Sequence, residues 1–177
     1  HVQDTFTMGG KKITTGGKGS LYLDFLVKDL KPVVDARYRT LPGKANTAVL
    51  GSSLGGLVSF QAGLLHHAVF KYVGGMSSTF GWGEFGQKNP TMASLYKAVS
   101  NLKARGQVYY LDSGDNPNNP KNPPACPNKN VEAEDNYCET VKFRDMLVSK
   151  GIKTFPNNPD AAPLTPANIN IYHYHQA

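Results

Sequence analysis

Ser53 stands at the centre of Gly51-Ser52-Ser53-Leu54-Gly55, and that spacing of serine and glycine can do acyl-transfer chemistry. A short apolar run, Ala48-Val49-Leu50, leads in, and a helix-compatible run from Leu57 leads out. Strand, G-x-S-x-G and helix in that order make a nucleophile elbow, a turn so sharp that the central serine occupies a strained backbone conformation. Positions two before and two after it must be nearly free of side chain, and Gly51 and Gly55 fill them. Leu54 opens the following helix, so its N–H points where an oxyanion would form. A glycine-rich turn without catalytic duty is the competing reading. The strand before and the helix after favour the elbow.

The segments Phe25-Leu26-Val27, Leu30-Lys31-Pro32 and Val34-Asp35-Ala36-Arg37-Tyr38-Arg39-Thr40, followed by the elbow, resemble the Putative esterase family of α/β-hydrolases. That family contains esterase D, feruloyl esterases and siderophore esterases. Val69-Phe70, Gly75-Met76-Ser77-Ser78 and Tyr110-Leu111-Asp112-Ser113-Gly114 fit as well, so the resemblance covers residues 20 to 155 and is strongest between 25 and 83. It implies an α/β fold, a mostly parallel sheet flanked by helices. It also implies a serine carboxylic-ester hydrolase acting through an acyl-enzyme on a small-molecule or sugar-linked ester, with no cofactor. An acyltransferase is the nearest rival, since mycolyltransferases share the fold. A binding protein that keeps the elbow but has lost its base is the rival from another class.

A serine hydroxyl is a weak nucleophile until a histidine takes its proton and an acid holds that histidine. In α/β-hydrolases the chain order is serine, acid, histidine. The family places the acid a few positions after the glycine that ends a strand and just before the next helix. Here a long insertion separates those two criteria: Asp115 lies near Gly114, while Asp135 precedes the helix expected near Glu139. Both remain candidates, with Asp135 slightly ahead, and Asp112 is read as fixing the turn. His175, which shares a strand face with His173, is the candidate base within the chain. The family's histidine lies just beyond this strand, after a Gly-Ala pair that Gln176-Ala177 resembles. His66 and His67, more than three turns along the elbow helix, lie roughly 20 Å from Ser53 and are too far to act. Ser77, Ser78, Phe80 and Trp82 follow a strand, where ligands sit in open α/β sheets, so Ser78 and Trp82 are expected against substrate.

The elements that must hold these residues read as follows. Residues 1–20, rich in Gly, Thr and Lys with no apolar period, read as loop. Family members carry several strands before this point, one of which positions a second oxyanion donor. The chain is therefore expected to be one α/β-hydrolase domain over 1–177, a piece of a longer protein lacking the N-terminal strands, and poorly soluble or inactive alone. Tyr22, Phe25, Leu26, Leu30 and Val33 recur at helical spacing and predict a core-facing helix, with Asp24, Lys28 and Lys31 opposite and Pro32 limiting its regularity. Asp35, Arg37 and Arg39 are given structural roles. Strands are expected near 47–50, 69–76, 107–111 and 168–175. Helices are expected after the elbow, over 92–102, and from Glu139 to Lys150 with Gly151 ending the last. The Pro- and Asn-rich run 116–130 reads as surface loop.

Composition narrows the alternatives. With 177 residues the chain suits one domain. Its 19 Lys and Arg against 13 Asp and Glu give +6, but the basic residues are scattered, which argues against a nucleic-acid surface. No stretch is long or apolar enough to span a membrane. Cys126 and Cys138 have no Cys-x-x-Cys partner to make a zinc site, and a calcium loop over 112–119 lacks a spaced set of carboxylates, so no metal is expected. A loop-closing disulfide in a secreted or periplasmic protein suits the cysteine pair better.

Overall fold

The computed structural model describes residues 3–80, 106–114, 136–152 and 171–176. Four parallel strands form the central sheet in the order β3 (Ala48–Ser52), β4 (Tyr72–Met76), β5 (Val108–Gly114) and β6 (Ile171–Gln176). Each lies within a few residues of its expected place. Val69 and Phe70 fall in the turn before β4 rather than within it, their N–H groups donating to the His66 carbonyl. The register pairs Ser52 with Met76 and Met76 with Asp112, so the carboxyl ends of β3, β4 and β5 are level.

Residues 3–16 are not a loop. They form a hairpin of β1 (Gln3–Met8) and β2 (Lys11–Gly16), closed by Gly9 and Gly10 at φ 58° and 76°. Two central residues with positive φ give the turn whose twist suits a two-residue hairpin, which is why a Gly-Gly pair closes it. The Thr5 and Thr14 hydroxyls meet across the strands at 3.0 Å. The apolar residues are few, Phe6 and Met8 in β1 and Ile13 in β2, and so short a signal did not reveal the strands.

A helical run follows in three pieces: α1 (Gly19–Asp24), a π-helical segment (Phe25–Leu30) and α2 (Lys31–Arg37). The wide turns come just before Pro32, whose missing N–H and ring bulk spoil an ordinary helical turn. The buried face is not the expected one. Leu23 is fully buried, with Leu26 and Val27 packed on the core, whereas Tyr22, Phe25, Leu30 and Val33 are 41–52% exposed. Positions 23, 26 and 27 are spaced i, i+3, i+4, so two neighbouring apolar stripes run along this helix. Periodicity alone cannot choose between them; the docking of α1 against the elbow helix does. Asp24 and Lys28 pair at 3.0 Å on the exposed side. Lys31 pairs with Asp35 and donates to the Pro42 carbonyl at 2.8 Å, while Thr40 Oγ1 donates to the other Asp35 oxygen at 2.7 Å. These contacts tie the end of α2 to the turn leading into β3, and the bonds from Lys31 and Thr40 hold the Asp35 carboxyl below its ordinary pKa.

The elbow helix α3 (Leu54–Leu65) and the last helix α4 (Asn136–Ser149) pack on the same face of the sheet, joined through side chains. Phe60 of α3 meets Phe80 and Phe143 edge-on at 5.2 and 5.1 Å, and Phe80 stacks on Phe143 at 4.3 Å. Tyr109 of β5 lies nearly parallel to Phe60 at 5.9 Å. Such ring pairs add about 0.5–1.5 kcal/mol each beyond the area they bury. Val73, Leu111 and Leu147 complete this core. At the opposite end of the strands, buried Gln107 donates through Nε2 to the carbonyls of Gly63 and Phe70, each at 2.9 Å, and accepts from the Tyr109 hydroxyl at 3.0 Å.

The other sheet face is different. Leu50, Tyr72, Met76 and Tyr110, at alternate strand positions, are 59, 40, 37 and 38% exposed. Topology explains this. The strand order steps in one direction from β3 to β6, and the two described crossover helices, α3 and α4, lie on one face, as right-handed parallel connections require. Gly151, at φ 81°, follows α4 as the left-handed terminator expected there. The helix expected over 92–102 and the loop over 116–130 lie outside the described residues.

Candidate active site

β3 ends at Ser52 and α3 begins at Leu54, leaving Ser53 alone in the turn at φ 55°, ψ −123°. A non-glycine residue in that region is strained, by about 1–3 kcal/mol, and holds only where its surroundings over-determine it. The constraints are explicit. Ser53 N–H donates to the Met76 carbonyl at 3.0 Å, continuing the β3–β4 ladder. The Ser53 carbonyl accepts from Gly56 and Leu57 at 3.1 and 3.3 Å, which starts the helix, and from Thr79 at 3.3 Å. Ser53 is exposed at the sheet's carboxyl edge. Leu54, first in α3, has no intrahelical acceptor for its N–H, so the donor sits beside the serine.

The two elbow glycines differ. A Cβ on Gly51 would run into the backbone carbonyl of Gly55, whereas one on Gly55 would meet nothing nearby. The close approach is of Gly55's backbone to Gly51, so only Gly51 is forced by sterics. A further glycine, Gly56, is needed one turn below, where a Cβ would strike the hydroxyl of Ser78.

That contact relocates Ser78. The residue expected against substrate is fully buried, its hydroxyl wedged between Gly56 and Gly75 beneath the elbow, with no hydrogen-bond partner. Its neighbour Ser77 carries the second left-handed non-glycine backbone, φ 41°. Ser77 N–H donates to both Asp112 Oδ1, at 2.7 Å, and the Asp112 carbonyl, at 3.2 Å. Asp112 Oδ2 accepts from the Tyr110 hydroxyl at 3.1 Å. The sequence pointed to Asp112 as a turn residue, and the turn it holds belongs to the neighbouring strand. Only the pairing of β4 with β5 brings Ser77 and Asp112 together, so no local signal could reveal it.

The remaining candidates are placed less fully. Asp115, Asp135, Trp82 and Cys126 lie outside the described residues, as do the side chains of Cys138, His173 and His175. The register sets His173 beside Leu111 and His175 beside Ser113. β6 is three strands from β3, about 14 Å at the usual inter-strand spacing. An imidazole must therefore cross the top of β4 and β5 to meet Ser53, which a loop beyond the strand end does more readily than a residue within it. Among the described residues no group of His, Cys, Asp and Glu could hold a metal, and no helix is long and apolar enough to cross a membrane.

A family model described as "Putative esterase" matches residues 6–153. Solved structures share the fold. The enterobactin esterase of Shigella flexneri is 18% identical, with a TM-score of 0.60 over 88% of this chain and 32% of its own. An IroE-like serine hydrolase from Shewanella oneidensis is 17% identical, with a TM-score of 0.60 over 94% and 44%. A ferulic acid esterase from the anaerobic fungus Anaeromyces mucronatus is 15% identical, with a TM-score of 0.57 over 87% and 44%. The chain thus spans less than half the length of each of these three. None of the curated proteins compared with the chain matches it.

Proposed function

Because the chain belongs to the Putative esterase family, we propose that it carries the nucleophile of a serine carboxylic-ester hydrolase with an α/β-hydrolase fold. The observation that bears most weight is the Ser53 backbone, at φ 55° between the end of β3 and the first residue of α3. A serine kept in a strained turn, exposed, with a helix-terminal N–H beside it, suits attack on a carbonyl carbon. In that reaction Ser53 Oγ adds to the ester carbonyl while a histidine takes its proton. The Leu54 N–H donates to the oxyanion, a contact of the kind worth about 10²–10³ in rate. Collapse expels the alcohol, which takes the proton back from the imidazolium. Water, deprotonated by the same histidine, then releases the acid and frees Ser53. Asp115 or Asp135 would orient that histidine. The chemistry requires no cofactor.

Two of the neighbours named above are an enterobactin esterase and a ferulic acid esterase, so siderophore and feruloyl esters belong in a substrate panel beside short acyl esters. The deciding experiment, on the full natural chain that carries these residues, is reaction with a fluorophosphonate and mass mapping of the labelled residue. Labelling at Ser53 is expected, and Ser53→Ala should lower ester hydrolysis by roughly 10⁶ while leaving folding nearly unchanged. An unlabelled Ser53, or a variant retaining a tenth of the activity, would overturn the esterase reading and leave a binding scaffold. We also propose an exported protein in which Cys126 and Cys138 are joined, since a lone pair brackets a stretch poor in apolar residues. The link would stabilise by about 3 kcal/mol. Intact mass with and without reductant should show one pair, and two free thiols before reduction would exclude it.

A further inference from the structure

We propose that Asp112 is a positioning residue for the nucleophile, holding the turn 77–79 that in turn grips the Ser53 backbone. The inference rests on the esterase reading only for its kinetic consequence. Its structural content stands on the contacts at the carboxyl ends of β3, β4 and β5.

Ser77 departs from β4 with a left-handed backbone, a conformation that a serine does not keep without help. The help comes from one residue on the next strand. Asp112 offers Oδ1 and its own carbonyl to the single Ser77 N–H, at 2.7 and 3.2 Å. Its second carboxylate oxygen is engaged by the Tyr110 hydroxyl at 3.1 Å, which fixes the rotation of the group. One oxygen of this carboxylate thus holds the Ser77 backbone, and the other holds the Tyr110 hydroxyl.

The turn so held reaches back to the elbow twice. Thr79 N–H donates to the Ser53 carbonyl at 3.3 Å. The Ser78 hydroxyl fills the slot between Gly56 and Gly75, fully buried. A route of contacts therefore runs from Asp112 through Ser77 and Thr79 to Ser53. Loosening its first member frees the turn to relax out of the left-handed region, and the Ser53 carbonyl then loses an outside donor. The serine backbone would be left to the first turn of the helix and to its own bond with the Met76 carbonyl.

Three variants test this: Asp112→Ala, Asp112→Asn, and Asp112→Ala combined with Ser77→Gly. Amide hydrogen exchange at Ser77 and Thr79 reads the positioning directly, with Phe60 in the middle of α3 as the control for folding. Loss of a charge-assisted bond should speed exchange at both amides about tenfold or more in Asp112→Ala, with Phe60 unchanged. Asparagine keeps an acceptor at the same place and should stay within about threefold of the parent. Glycine at 77 takes the left-handed backbone at no steric cost and should restore part of the loss. In the same variants the fluorophosphonate labelling rate and kcat should fall about tenfold with alanine and recover with asparagine, KM changing less than twofold. Unchanged exchange in Asp112→Ala, or asparagine as damaging as alanine, overturns the proposal. If the parent protein is not labelled at all, the esterase reading fails, and the exchange data still decide whether Asp112 holds the turn.

Discussion

Gly51 and Gly55 sit symmetrically about Ser53 in the sequence, yet the structure gives them unequal burdens. Gly51→Ala drives a methyl group into the Gly55 carbonyl, and overpacking of this kind costs about 1–3 kcal/mol. Gly55→Ala meets open space and adds helix propensity, so it should be neutral or stabilise by up to about 1 kcal/mol. Thermal melts of the two single variants check this, and equal destabilisation would contradict the contact geometry. The strained turn at Ser53 was legible because it is a local motif: its glycines, strand and helix lie within a short stretch of chain. Ser78 was misplaced for the opposite reason. The slot that buries it is lined by Gly56 and Gly75, from α3 and β4, and a position after a strand looks the same whether its side chain faces solvent or core.

Among the elements, the first three parallel strands and the elbow helix were readable from apolar runs near glycine, and β6 from its alternation. The hairpin over residues 3–16 was not, because Phe6, Met8 and Ile13 are its only large apolar residues, too short a run to announce two strands. The helical run before β3 failed more subtly, with two adjacent stripes competing for the same core. The elbow helix is tied to the sheet by polar contacts as well as apolar ones: Gln107 satisfies the carbonyls of Gly63, near the end of α3, and Phe70, ahead of β4. Gln107→Leu keeps the volume but orphans both buried acceptors, and it should destabilise by about 2–3 kcal/mol. Urea unfolding measures this. A loss under about 0.5 kcal/mol would mean that water takes over both bonds.

For the molecule as a whole, the one-directional strand order agrees with α3 and α4 sharing one face, and Leu50, Tyr72, Met76 and Tyr110 show on the other. The fold class was foreseeable from the order of strands and helices, but this asymmetry needed the strand order itself. An apolar face of that kind binds hydrophobic dyes and promotes association, against which a net charge of +6 gives partial protection. The 177-residue chain should therefore associate more as salt screens its charge, and Leu50→Thr with Tyr72→Thr should reduce both dye binding and association. Sedimentation velocity across salt and concentration checks the pair, and identical behaviour of the variant would count against the face. The bond from Ser77 to Asp112 spans 35 positions of sequence. Closing so long a loop is entropically costly, and such contacts form late relative to a helix or a turn. A nascent or half-folded chain that has built β3 and α3 but not yet zipped β5 into place carries a slack elbow. If Asp112 holds the turn as proposed, the serine gains its reactive setting only once the sheet is assembled.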